Sequence, residues 1–286
     1  MILLKKSNQI YLSCKDFSVS QERFDLFWNE EKDILITSPI PDISKLPKYY
    51  KSENYISHTD GKRNLFERAY QAVKSFMLQH KLKLIENCQP VNKTILDIGA
   101  GTGDFLAYLK KKDWQVKGVE PNPSARNLAE QKGITLHQDI SELPTDDKFE
   151  VITLWHVLEH IPDLENFILQ LKSRLTENGV LIIAVPNFKS YDARYYQNFW
   201  AAYDVPRHLW HFSQKGIKRL FAAHQFSIQK SKPLWFDAFY VSLLSEKYKS
   251  NSSNFIKPLF VGLMSNLKAI SSKEYSSLIY FLKKDI

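Results

Sequence analysis

From residue 92 onward the chain alternates short apolar runs with helix-patterned segments, and nothing else in it restricts the fold so tightly. "KTILDIGAG" is an apolar run with β-branched residues that ends in glycines, "DFLAYLKKK" has helical spacing, "WQVKGVEPN" reads as a strand, and "PSARNLAEQKG" reads as a helix stopped by glycine. "ITLHQD", "FEVITLWH" and "GVLIIAVPN" read as further strands, with "LENFILQLKSRLTENG" as the helix before the last of them. Strands that alternate with helices build βαβ units on a parallel sheet covered on both faces. The expected fold is therefore α/β and doubly wound.

The flanks are less regular. Residues 1–60 show short extended pieces punctuated by "SPIPDISKLP" and are read as an N-terminal appendage; residues 61–286 form the main domain. Within it, 62–86 has the spacing of an amphipathic helix, and 188–213 and 237–274 are read as insertions, with the Ser/Asn-rich "KSNSSN" as a loop. With 44% hydrophobic and 13% aromatic residues, the 286-residue chain can bury a full core. The apolar run at its start is too short for a signal peptide, and no stretch reaches the roughly 18 apolar residues of a membrane span. These features place it in the cytoplasm.

Cys14 and Cys88 are too few for a disulfide framework or a thiolate zinc site. The formal charge of +8 is unevenly spread, because residues 181–286 hold 15 Lys/Arg against 6 Asp/Glu, a net +9. A basic C-terminal third admits an anionic substrate, nucleic acid or peripheral contact with an acidic membrane; dispersed lysines are equally what a solvated surface carries.

Two stretches carry chemistry. "ILDIGAGTGDF" sets Gly99, Gly101 and Gly103 directly after a strand, where a tight turn brings backbone N–H groups against a ligand. The third glycine comes one residue too early for the dinucleotide pattern, and Asp97 inside the strand would repel a pyrophosphate. A ligand with a cationic head suits the loop better. In "LWHVLEHIPD", His156, Glu159 and His160 stand three and four positions apart, which on a helix brings them to one face. The spacing leaves a metal site, a base and plain packing all open.

Over about 92–230 the sequence resembles the class I S-adenosylmethionine-dependent methyltransferases. The resemblance implies a seven-stranded, mostly parallel, Rossmann-like sheet, with a last strand that slips in beside the fifth. It implies S-adenosylmethionine held by Asp97, Gly99, Ala100, Gly101 and Gly103, with Glu120 on the ribose hydroxyls, Asp139 beside the adenine, and Trp155 also at the cofactor. "HVLEH" is similar to the form found in small-molecule and quinone-precursor methyltransferases. Some relatives hold a divalent metal with Glu-x-x-Glu-His; here His156 replaces the first glutamate, so no metal is expected. The expected catalytic residues are His156 and His208. His160, Tyr203, Arg207 and His211 are the expected substrate contacts, the last three from "YDVPRHLWHFSQKGI", which resembles a bacterial branch of the family. For that stretch the alternative is structural, with Arg207 paired to a carboxylate and Ser213 capping the following helix.

Members of that branch begin with a zinc ribbon. Here Asn29 and Lys32 stand where a Cys-x-x-Cys pair is expected, so the appendage reads as a ribbon without metal. The expected activity is methyl transfer to a small or lipid-like acceptor, by a monomer or homodimer. The rivals are a nucleic-acid methyltransferase, disfavoured because the fourth motif lacks Asn/Asp-Pro-Pro-Tyr, and a non-catalytic cofactor-binding protein.

Overall fold

The computed structural model describes residues 4–42, 44–50, 65–250 and 255–285. The boundary expected at 60/61, the first three residues of the helix expected from 62, and residues 251–254 of the Ser/Asn stretch lie outside the described residues. The chain divides into two compact units, one drawn from 1–55, 156–168 and 183–281, the other from 56–155, 169–182 and 282–286.

The unit that carries the glycine loop begins with α1 (Leu65–Glu86) and continues through β4 (Thr94–Ile98), α2 (Asp104–Lys110), β5 (Gln115–Val119), α3 (Pro123–Glu130) and β6 (Phe149–Trp155). β4 pairs in parallel with β5 on one side and β6 on the other, so that Ile95 faces Val116 and Val151. Ile95, Leu96, Val151 and Ile152 are buried although they are consecutive along their strands, which is why these runs read as continuous apolar stretches and not as alternation. Asn122 caps α3 by accepting the N–H groups of Ser124 and Ala125, and Pro123 occupies the first turn, where a missing N–H costs nothing.

Helix α4 (Leu164–Arg174) precedes β7 (Leu175–Pro186), and β9 (Phe226–Pro233) and β10 (Ser277–Lys284) follow later in the chain. The strand order is β5-β4-β6-β7-β10-β9, which seats the last strand beside β7 as expected. Six strands form this sheet, against the seven expected. "ITLHQD" does not become a strand: His137 alone bridges Val119, and Asp139 then turns the chain by capping the short 3-10 helix Ile140–Glu142 through the Ser141 N–H. The helix before β7 is also shorter than expected; it stops at Arg174, whose guanidinium donates to the carbonyls of Ile140, Leu143 and Pro144, and "LTEN" is already extended.

In the other unit, β1 (Lys6–Lys15), β2 (Arg23–Asn29), β3 (Ile34–Ser38) and β8 (Trp210–Phe212) form a four-stranded sheet with antiparallel neighbours. The N-terminal strands thus share a sheet with a strand far downstream of β3, from Ile36 facing Trp210 to Ile34 facing Phe212. At the β2–β3 turn Asn29 Oδ1 accepts the N–H groups of Asp33 and Ile34, and its Nδ2 donates to Asp33. These hydrogen bonds close the turn. Cys14 is buried in an apolar cluster with Phe24, Leu26, Leu35 and Phe188, and burial raises its thiol above the usual range. Helices α5 (Tyr191–Tyr196), α6 (Gln214–Ala222), α7 (Asp237–Ser250) and α8 (Ile256–Ser272) complete the unit.

Candidate functional site

The loop after β4 is built by conformation as much as by contacts. Gly99, Gly101 and Gly103 hold φ of 70, 53 and 72°, the left-handed region that other L-residues adopt only with strain. A Cβ on Gly101 would meet no protein atom within 4 Å, so that position is open toward a ligand; a Cβ on Gly103 would stand 2.8 Å from the Ala129 Cβ, so that position serves close packing of α3. The Gly99 and Ala100 N–H groups donate to the Val119 carbonyl. Glu120 closes the loop, its two oxygens accepting the N–H groups of Gly101 and Asn122, each at 2.9 Å.

Beneath the loop Asp97 is buried and accepts the Thr153 hydroxyl at 2.5 Å. Burial pushes its carboxyl up to about 6, with the Lys81 charge and the Thr153 hydroxyl opposing. The Lys81 ammonium itself lies over the Trp155 ring at 4.3 Å. A buried carboxylate under an open glycine turn suits a cationic ligand group. Asp139 is exposed and spends one oxygen on the Ser141 N–H and hydroxyl.

One residue beyond β6 the second stretch begins. His156 does not lie on a helix with its neighbours: its φ is 58°, its N–H donates to the Ala184 carbonyl, and only Leu158–His160 form a 3-10 turn. Left-handed backbone at a histidine stores strain that the surroundings must hold. His156 Nε2 lies 3.0 Å from Asp237 at the start of α7, and Nδ1 lies 3.5 Å from Glu159. Burial works against its charged form, but the two carboxylates outweigh it and raise the imidazole to about 10. The two carboxylates thus favour its protonated form.

Glu159, His160 and His208 each bring one ligand-type atom to within 4.8 Å of the others. His160 Nδ1 lies 3.0 Å from the Arg207 carbonyl and His208 Nδ1 lies 2.9 Å from the Ala202 carbonyl; since a carbonyl only accepts, both rings carry their proton on Nδ1 and keep Nε2 as the second nitrogen. The Tyr50 hydroxyl also approaches His160 Nδ1. Burial and the charge of His208 depress the His160 imidazole to about 4. Burial pushes the Glu159 carboxyl up, but the neighbouring histidines outweigh it and hold it at about 2. Neither Glu159 oxygen accepts a hydrogen bond from a described residue. These three side chains have the donor types of a borderline transition-metal site and equally the groups to bind and deprotonate a hydroxyl.

The remaining expected contacts sit deeper. Arg207 is buried and spends its guanidinium on Asp204, Asp16 and the Tyr49 carbonyl, at 2.6 to 2.9 Å. Tyr203 is buried edge-on to Trp200 and His211, and burial raises its phenol. His211 Nε2 meets the Thr37 hydroxyl at 3.0 Å, and burial holds its imidazole neutral. Ser213 caps α6 through the Gly216 N–H, as the structural alternative required. Asp237, Asp16 and Asp204 escaped the sequence reading. Asp237 is 81 positions from His156, and no local pattern links the two.

Comparison with known proteins agrees with the fold. A family model described as a methyltransferase domain matches residues 66–231. The ubiquinone biosynthesis O-methyltransferase of Coxiella burnetii (strain Dugway 5J108-111) is 34% identical over 122 residues, which is 39% of this chain and 52% of that protein. The enzyme of the same name from Rickettsia felis is 25% identical over 154 residues, 51% of this chain and 62% of that one. The chain thus spans between half and two thirds of the length of these relatives. Among solved structures, magnesium protoporphyrin IX methyltransferase from Synechocystis PCC 6803 superposes with a TM-score of 0.54 at 16% identity, covering 85% of this chain and all of that one. Geranyl diphosphate C-methyltransferase from Streptomyces coelicolor A3(2) also gives 0.54, at 12% identity, over 82% and 84% of the two chains. At these identities the likeness is one of fold.

Proposed function

Because the chain belongs to the methyltransferase domain family, we propose that it transfers the methyl group of S-adenosylmethionine to a small, lipid-like acceptor, at an oxygen or a carbon. The observation that carries this reading is the loop: an open left-handed Gly101 above a buried carboxylate, bound by hydrogen bonds to Glu120 at the end of β5. Glu120 keeps lone pairs for the ribose hydroxyls, and Asp97 balances the cationic end of the cofactor. The acceptor class is supported by the relatives named for ubiquinone biosynthesis.

When bound, the cofactor would supply an electrophilic methyl: an electron pair of the acceptor, a lone pair on oxygen or the π pair of an enol, would form the new bond to carbon while the carbon–sulfur pair returns to the sulfonium. The protein contributes position and exclusion of water, plus a proton acceptor when the nucleophile is a hydroxyl or enol. His208, with Nδ1 tied to a carbonyl, is the acceptor of that proton through Nε2. His156, with both ring nitrogens turned to the carboxylates of Asp237 and Glu159, contributes its positive charge, and His160 and Glu159 stand beside it as polar groups. This mechanism needs no metal ion.

The test uses the full chain with methyl-labelled cofactor and a lipid extract. Label should pass to the lipid fraction; His208→Asn should lower turnover by about 10²–10⁴-fold with cofactor affinity unchanged. His156→Asn removes the cation while keeping a residue that tolerates positive φ, so a rate loss there reports the side chain and not the backbone. Label passing to RNA instead would favour the nucleic-acid reading, and a chelator that stops turnover would assign Glu159, His160 and His208 to a metal.

A further inference from the structure

Helix α8 is turned inside out. Its buried side carries small or polar residues, Pro258, Val261, Gly262, Ser265, Asn266 and Ala269, whereas Ile256, Leu259, Phe260, Leu263, Leu267 and Ile270 are exposed. At about 100° per residue the exposed six fall within an arc of about 100°, so they form one continuous apolar stripe along the whole helix. The small residues explain the inward side: a Cβ on Gly262 would stand 2.8 to 3.0 Å from Phe239 and Ala238, so α7 lies directly against that side. Ser265 donates to Asp192 of α5 at 2.6 Å, and Asn266 donates to the Trp235 carbonyl at 2.9 Å. The orientation of α8 is thus set by its polar and small residues, and its large apolar residues have no core to enter. Trp235, Phe236 and Tyr240, around the start of α7, add exposed aromatic surface in the same hairpin.

Charge selects what covers this stripe. Between 234 and 273 the chain holds five lysines, at 247, 249, 257, 268 and 273, and two acids. Neither acid is exposed: Glu246 is buried against Lys257 at 2.8 Å, and half-buried Asp237 pairs with His156. Every exposed charge on the described part of the hairpin is therefore positive. A second copy seated on the stripe by a two-fold axis would bring lysine against lysine. An anionic lipid surface meets both requirements together, taking the apolar side chains into the acyl boundary and the ammonium groups into the headgroups.

We propose that the α7–α8 hairpin docks on an anionic membrane surface, lying in the interface with the α8 stripe inserted. No described helix is long and apolar enough to cross a membrane, so the contact is peripheral. A lipid-like acceptor would be met at such a surface, but the docking rests on the hairpin alone and not on the methyl-transfer reading.

The test is co-sedimentation of the full chain, without cofactor or acceptor, with vesicles of phosphatidylcholine alone or mixed equally with phosphatidylglycerol. Partition should favour the anionic vesicles and weaken with salt, at about fivefold per lysine engaged. Phe260→Glu and Leu267→Glu change exposed positions opposite the packed side, so the melting temperature should hold while partition falls by about tenfold or more for each side chain withdrawn. Partition that ignores these substitutions, or no partition into anionic vesicles, overturns the proposal. So does a dimer in sedimentation velocity that the same substitutions dissociate in a protein that does not bind vesicles, which would make a second copy the occupant. Because no methyl donor is present, either failure leaves the proposed reaction untouched.

Discussion

Removing the Glu120 carboxylate should damage cofactor binding more than it damages the fold. In the structure its oxygens accept two backbone N–H groups, from Gly101 and Asn122, at 2.9 Å each. Both are charge-assisted, and hydrogen bonds to a charged group contribute about 1.5–3 kcal/mol each. In Glu120→Ala water reaches this half-exposed site and replaces most of that, so the net loss of stability should be about 1–2 kcal/mol. On the proposed reading the cofactor should fare worse, losing the acceptor for its ribose hydroxyls and also the brace that holds Gly101 in its left-handed turn. One ribose bond to a carboxylate, at about 1.5–3 kcal/mol, corresponds to roughly 10- to 150-fold in Kd. Glu120→Gln keeps one accepting oxygen but points an NH2 toward one of the two N–H donors, so it should fall between wild type and alanine. Calorimetric titration with S-adenosylhomocysteine, paired with thermal melts, separates the two effects. An unchanged Kd in Glu120→Ala with a lowered melting temperature would reduce Glu120 to a loop brace and remove it from the cofactor site.

Two further outcomes follow from buried charge. Asp97 ionises in the fold near 6 instead of near 3.8, so its burial costs no stability below about pH 4 and its full penalty above about pH 6; affinity for a cationic cofactor runs the other way, strongest above pH 6 and weakening as pH falls through it. Titrations of the cofactor from about pH 5 to about pH 8 should show that slope, and a flat profile, or one unaltered in Asp97→Asn, would break the pairing. Arg207→Met strands Asp16 and Asp204 without their guanidinium, so stability should fall by about 3–5 kcal/mol in denaturant melts while cofactor affinity holds; lost turnover at wild-type stability would instead place Arg207 against the acceptor.

What could be read from the sequence is what neighbouring residues decide. β4, the glycine loop, β5 and Glu120 lie within 27 consecutive positions, and their apolar runs, glycines and caps act within that span. "ITLHQD" failed as a strand because Asp139, read as a site acid, also caps the next turn, a local competition the alternating pattern does not show. The helical face expected in "LWHVLEH" failed because His156 sits in left-handed backbone between carboxylates at 159 and 237. Likewise β8 completes the N-terminal sheet, and Arg207 pairs with Asp16 across 191 positions. Such pairings depend on long-range packing, for which composition and spacing carry no signal. The α8 stripe lies in the expected 237–274 insertion, but which side of the helix its apolar residues line is fixed by Gly262, Ser265 and Asn266.

If S-adenosylmethionine occupies the loop 97–103, calorimetric titration of the wild type and of Gly101→Val with S-adenosylmethionine should tell the two proteins apart. At Gly101 a Cβ would meet no protein atom within 4 Å, and the φ of 53° adds strain of about 1–2 kcal/mol, so the variant should remain folded by circular dichroism while its β-branched side chain extends into the open space above the loop. One cofactor should bind per wild-type chain, with no measurable binding to Gly101→Val. A wild-type chain that binds no cofactor, or a folded variant that binds it with wild-type affinity, would contradict that placement.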